Sequence, residues 1–159
     1  MGIIKGLVPL ALLGCYATSP WNVSYLQGAD SSRLSCPAHD KVNGVGVEMV
    51  FAENSLRTYL EVHSQAIPSY RGNDREALVT LKMADRVFHT IAHRHAGGQR
   101  LLLPSDFQQI LIDALLEGSP VVIELQGYRS TLNPEQFSNK YYSAKKHPLN
   151  VPIQLPFKL

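Results

Sequence analysis

The sequence predicts an α+β fold in one domain, in which a mostly antiparallel sheet carries one amphipathic helix on a face. Three observations support this class: short segments alternate apolar with polar residues, turn signals separate them, and a single segment has the period of a helix. Parallel pairing would require long crossovers, and the connections between the strand-like segments are short. A chain of 159 residues is long enough to bury the core of one such domain.

Five segments ahead of the helix are predicted to be strands, and the first three of them alternate apolar with polar residues. They are 45–51, 56–62, 77–83, 87–95 and 99–103. Glu53-Asn54 marks a tight turn between the first two, and Gly97-Gly98 marks a turn between the last two. A further alternating segment, 121–126, follows the helix and supplies the last predicted strand.

The helix is predicted over 106–117. Ser105 fits its N-cap, and Gln108, three residues later, completes a capping-box pattern. Gly118 ends the helical pattern. The apolar stripe has the spacing of one helix face and consists of Phe107, Ile110, Leu111, Ala114 and Leu115.

The segments outside this pattern have different compositions. Residues 16–43 lack periodicity and are rich in Ser, Pro, Asn, Asp and Gly, which predicts a tether that is partly ordered around Trp21 and Tyr25. Residues 133–136 predict the start of a short second helix, with proline at its first position. The prolines beyond residue 145 predict an extended tail.

The charge of the chain excludes one class of partner. Its formal net charge is +2, and charged residues make up 18% of the sequence. The basic residues are scattered apart from Lys145-Lys146, whereas nucleic-acid-binding proteins usually carry a clustered basic face. We therefore expect no nucleic-acid partner.

The first fifteen residues, MGIIKGLVPLALLGC, have the layout of a secretory signal. One lysine precedes a short apolar run, which is far below the ~20 residues that a membrane-spanning helix requires. The alternative is that residues 3–13 form a buried element of a soluble protein, in which Cys15 is an ordinary thiol. Pro9 argues against a regular helix or a central strand there.

The end of this segment, Leu12-Leu13-Gly14-Cys15, resembles the lipobox of bacterial lipoproteins. In that family the preceding peptide is removed, the cysteine thiol takes a diacylglyceryl group and the new amine is acylated. The resemblance implies lipid attachment at Cys15 and a place in the bacterial cell envelope, where Tyr16 after the cysteine favours the outer membrane. The chain is then expected to divide into a signal peptide (1–14), a lipidated Cys15 with a tether (15–43), an α+β domain (44–144) and an extended tail (145–159).

We expect this domain to bind a protein partner in the envelope rather than to catalyse a reaction. The order of strands, helix and closing strand resembles that of the pilotins of secretion systems, which grip the tail of an outer-membrane partner in an apolar groove. The resemblance implies a groove lined by the stripe of the helix. Independently, Tyr128 belongs to a group of aromatic residues in the C-terminal third that could form a docking surface. Such aromatic residues more often pin a terminal segment to the sheet.

The second hypothesis is a metal-binding or enzymatic domain. His89, His93 and His95 share one face of a predicted strand, and a His-x-His pair can bind zinc through its imidazole nitrogens when a third ligand is available. The alternative is a polar, solvent-facing strand end beside the glycine turn. The sequence contains no His-Glu-x-x-His, Cys-x-x-Cys or Gly-x-Ser-x-Gly motif, and no cofactor other than zinc is expected.

Overall fold

Nine strands and two helices form the regular structure in the computed structural model, which describes residues 20–26 and 30–146. The strands are β1 (Asn22–Leu26), β2 (Ser31–Cys36), β3 (Gly46–Ala52), β4 (Ser55–Glu61), β5 (Glu76–Met83), β6 (Arg86–Arg94), β7 (Arg100–Leu102), β8 (Val121–Leu125) and β9 (Tyr128–Leu132). The helices are α1 (Ser105–Leu116) and α2 (Phe137–Lys145). The predicted signal peptide, Cys15 and residues 147–159 of the predicted tail lie outside the described residues.

The strands form one sheet in the order β1-β2-β3-β4-β7-β6-β5-β8-β9, and every neighbouring pair is antiparallel. The predicted antiparallel sheet is therefore confirmed, and the six predicted strands correspond to β3 through β8. The three-residue strand β7 joins the two halves of the sheet. It pairs with β4 through three residues and with β6 through two.

Two strands occupy the segment for which the sequence predicted a tether. β2 alternates between buried and half-buried residues, and Leu34 and Cys36 belong to the hydrophobic core. Trp21, just before β1, is also in the core and only 1% exposed. The described residues between 20 and 43 are thus part of the domain, and only residues 16–19 separate Cys15 from the first of them.

The structure has two helices where the fold prediction had one. α1 coincides with the predicted helix, but the predicted cap is wrong: Pro104 occupies the N-cap, and no side chain makes a capping hydrogen bond. Gly118, with a φ of +80°, ends α1 as expected. α2 begins at Phe137, directly after the predicted helix start, and β9 was not predicted.

The helices and the sheet enclose one hydrophobic core. α1 contacts β4, β8 and α2, whereas α2 contacts β1 and β2. Buried residues from both helices and from every strand except β1 join one cluster, and Val23 of β1 packs against it. The opposite face of the sheet, which we call the outer face, carries most of the charged strand residues.

Hydrogen bonds connect residues near the two ends of the sheet, and from these contacts we infer that the sheet is strongly curved. The indole Nε1–H of Trp21 donates to the carbonyl oxygen of Asn133 at 2.8 Å. The backbone N–H of Arg129 donates to Asn43 O, also at 2.8 Å. Through these bonds the residues flanking β1 and β3 meet the residues in and after β9. We call this place the junction of the sheet ends, and a cleft lies there.

Candidate binding site at the junction of the sheet ends

The side chains of the predicted stripe on α1 fill the space in which a groove was predicted. Phe107, Leu111, Ala114 and Leu115 are at most 4% exposed, and Ile110 is partly buried against the same core. These side chains occupy the space between α1 and the sheet. A partner segment could contact the stripe only if α1 moved away from the strands.

The side chain of Tyr128 also has a structural role in the domain. Its side chain is buried, and its hydroxyl donates a hydrogen bond to Gln65 O at 2.8 Å. The same hydroxyl lies 3.3 Å from Ser64 Oγ. Tyr128 therefore ties the loop after β4 to the start of β9, and it is not part of an exposed aromatic surface.

The structure brings together two of the three predicted metal ligands. The rings of His93 and His95 lie 5.2 Å apart between centroids. His89 is four residues away along β6, roughly 13 Å at the rise of a strand, and its Nδ1 lies 2.9 Å from Thr80 Oγ1. Within the described part of the chain, no three His, Cys, Asp or Glu side chains are arranged to hold a metal ion.

A charged network crosses the outer face where the two halves of the sheet meet. The Arg100 guanidinium donates a hydrogen bond to Glu48 Oε1 at 2.8 Å and forms an ion pair with Glu61 Oε1, also at 2.8 Å. Its central carbon lies 3.8 Å from the ring centroid of Tyr59. Arg33 approaches Glu48 to 3.4 Å. The network ties the short strand β7 to β3 and β4, and it reaches β2. It was not predicted, because the sheet order places side by side residues that are distant in sequence.

His95 lies at the edge of this network. Its ring is 5.8 Å from that of Tyr59, and its Nε2 is buried without a hydrogen-bond partner. Burial first, and then the positive charges of His93 and Arg100, hold the pKa of His95 below its ordinary value. The imidazole is therefore neutral in the folded protein at neutral pH.

We expect the stability of the domain to fall with acidification partly through His95. The unfolded state binds a proton near the ordinary imidazole pKa of about 6.5, whereas the folded state binds it only at lower pH. This contribution is complete above that pH and is lost as the pH falls through the folded pKa. Urea unfolding at a series of pH values between 7.5 and 5 should show a shallower loss for His95→Gln than for the natural chain.

The matched control is His63→Gln, which changes an exposed histidine in the loop after β4. Its pH profile should follow that of the natural chain. A His95→Gln profile parallel to both would contradict the assignment of this proton to His95.

A cleft of about 870 Å³ opens at the junction of the sheet ends. Pro20, Asn22 and the segment 36–40 line one side, and β9 with the residues that follow it lines the other. Val45 and Leu132 provide an apolar floor, because both are buried in the core. An opening of this size is typical of a binding site for a small molecule or a peptide segment.

Cys36 lines this cleft together with the ionisable residues His39, Asp40 and Glu135. It is a free thiol, and burial raises its pKa to about 11. The thiolate is the nucleophilic form, so a thiol with this pKa is almost entirely protonated and unreactive at neutral pH.

No protein-family model matches the chain, and no curated protein is similar enough to count as a relative. None of the helices in the described ranges is long and apolar enough to cross a membrane.

Proposed function

We propose that this chain is a lipid-anchored lipoprotein of the bacterial cell envelope, and that its domain binds a partner without catalysing a reaction. The observation that carries the proposal is Leu12-Leu13-Gly14-Cys15 after one lysine and a short apolar run. Several acyl chains on Cys15 would hold the protein firmly, since each buried methylene contributes about 0.8 kcal/mol.

The position of Trp21 supports a short attachment. Trp21 is fixed in the core only six positions after Cys15. Six residues span at most about 21 Å when fully extended. An acylated Cys15 would therefore keep the domain close to the lipid headgroups, with Pro20 and the adjoining cleft on the side nearest the membrane.

The cleft supports binding as the role of the domain. Its apolar floor can bury part of a partner, and its one thiol is protonated at neutral pH. The buried stripe of α1 gives no support to the groove of the pilotin resemblance. We therefore propose the cleft, rather than the α1 surface, as the place where an envelope partner binds.

A metal-binding domain is the second candidate, and it rests on the adjacent rings of His93 and His95. A structural zinc site requires four ligands, so this pair would need further ligands from outside the observed arrangement. One equivalent of zinc in the purified protein would favour this candidate over a binding domain without metal.

The anchor is tested by the intact mass of the protein from a bacterial membrane fraction. We expect a chain that begins at Cys15 and carries the added mass of a diacylglyceryl group and an acyl chain. Cys15→Ser should remove the modification, and Cys36→Ser, the matched control, should retain it. An unmodified, full-length mass in the soluble fraction would overturn the lipoprotein proposal.

A further inference from the structure

The edge of β9 that faces away from β8 carries unpaired backbone groups in the described part of the chain. Successive residues of an antiparallel strand direct their N–H and C=O groups to opposite sides. The backbone N–H of Arg129 donates to Asn43 O, so the backbone groups of Arg129 point away from β8. Those of Thr131, two residues later, point the same way, and among the described residues neither its N–H nor its C=O has a hydrogen-bond partner.

This edge faces the cleft at the junction of the sheet ends. The two sides of the junction meet at Ser130, whose hydroxyl oxygen accepts a hydrogen bond from the Val45 N–H at 2.7 Å. Beyond this contact, Thr131 and Leu132 line one side of the cleft, and the segment 36–40 lines the other. The unpaired groups of Thr131 therefore lie at an opening whose apolar floor, Val45 and Leu132, can bury side chains.

The charges around the cleft favour a basic occupant. Its lining includes two carboxylates, those of Asp40 and Glu135, and one guanidinium, that of Arg129. The Arg129 Nε lies 3.7 Å from a carboxylate oxygen of Glu124, which offsets part of its charge. Backbone hydrogen bonds within its own loop hold the pKa of Asp40 below its ordinary value, so this carboxyl group is ionised at neutral pH. The cleft would therefore attract a positively charged side chain.

We propose that the cleft binds an extended, basic peptide segment of a partner protein, which adds to β9 as a short strand beside Thr131. The N–H and C=O of Thr131 would each form a hydrogen bond with the peptide backbone. Strand addition of this kind draws its affinity from main-chain hydrogen bonds and its specificity from alternate side chains. This inference rests on the proposed role of the cleft in binding, and it is independent of the lipid anchor.

The pleat of β9 predicts which peptide side chains are recognised. The peptide residue beside Thr131 would lie on the outer face, because paired residues of neighbouring strands share a face. Asp40 borders a surface depression together with Arg129 and Thr131, so a lysine or arginine fits at this position. The flanking peptide residues would turn to the other side, towards Val45 and Leu132, where apolar side chains fit. The predicted ligand is thus an extended segment with a basic residue between two apolar ones.

Nuclear magnetic resonance of the isotope-labelled, full-length chain tests the pairing with a defined probe, the acetylated and amidated pentapeptide Ser-Val-Lys-Val-Ser. We expect the amide signal of Thr131 to shift on titration. N-methylation removes the hydrogen-bond donors from one edge of the peptide: at the lysine in one isomer, and at the two valines in the other. Because a strand pairs with β9 through one edge only, one isomer should bind at least about tenfold more weakly than the other.

Two substitutions at one position provide matched variants. Thr131→Pro removes the edge N–H at a place where proline is tolerated, and it should weaken the binding of the unmodified peptide by about tenfold. Thr131→Val retains the N–H and should bind the peptide as the natural chain does. Circular dichroism checks that both variants fold, and the comparison of the two isomers on the natural chain does not depend on them.

Equal affinities of the two N-methylated isomers would overturn strand addition, as would an unchanged Thr131 signal at millimolar peptide. If the peptide then shifts only the signals of Val45 and Leu132, the proposed binding role of the cleft stands without this pairing. A probe with glutamate in place of lysine should bind more weakly than the original. Tighter binding of the glutamate probe would overturn the assignment of a basic ligand.

Discussion

Trp21→Ala is expected to lower the free energy of unfolding by about 3–5 kcal/mol, which is the range for removal of a buried tryptophan. Trp21 lies in the core, and its ring meets that of Phe137 edge-on, with centroids 4.8 Å apart. Its indole N–H also satisfies Asn133 O across the junction of the sheet ends. The substitution would leave a cavity and remove the partner of that carbonyl.

Urea unfolding followed by circular dichroism would measure this loss, because Trp21 is the single tryptophan and its fluorescence disappears in the variant. Val42→Ala is the control: the side chain is 60% exposed and should change stability by no more than about 0.5 kcal/mol. A similarly small effect of Trp21→Ala would show that residues near 21 do belong to a tether.

Leu111→Ala is expected to lower the free energy of unfolding by about 2–5 kcal/mol, since the side chain of Leu111 on α1 is fully buried. Ile110→Ala is the matched control from the same stripe and should cost less, because Ile110 is only partly buried. The comparison separates the two roles of the stripe. A residue lining an open docking groove would tolerate truncation with little loss of stability.

The same unfolding measurement gives the result for both variants, and circular dichroism of the native state checks that α1 remains helical. Equal, small losses for Leu111→Ala and Ile110→Ala would contradict the packing of α1 in the core. They would restore the groove as a candidate binding surface.

Much of the sheet was predictable because its strands have the periodicity of a half-buried surface. β3, β4 and β5 alternate core-facing apolar residues with more polar ones, and α1 has a clear helical stripe. β2 could not be recognised in the same way, since serine occupies positions on both of its faces. Ser32 can be buried there because a carbonyl of α2, 112 residues later, accepts its hydrogen bond.

The candidate sites depended more on the arrangement of the strands than on any local pattern. Arg100 and Glu48 are 52 residues apart in the sequence. They come together only because β7, which carries Arg100, lies beside β4 in the sheet. The cleft arises from the curvature of the sheet, which no periodicity reports. The stripe of α1 was recognised correctly as apolar, but the same pattern describes a helix that packs on its own sheet and a helix that receives a partner.

Because the three-residue strand β7 connects the two halves of the sheet, the halves can pair with each other only after β7 is available. β1 through β4 find their neighbours within residues 22–61 and can form as soon as this part of the chain is available. The other partner of β4 is β7, which comes about forty residues later in the chain. Until β7 is available, the edge of β4 that faces away from β3 has no hydrogen-bonding partner. A chain that becomes available gradually, amino terminus first, would present this edge to chaperones or to other copies of the chain, and the risk of misassembly at this edge would last until Arg100–Leu102 is available.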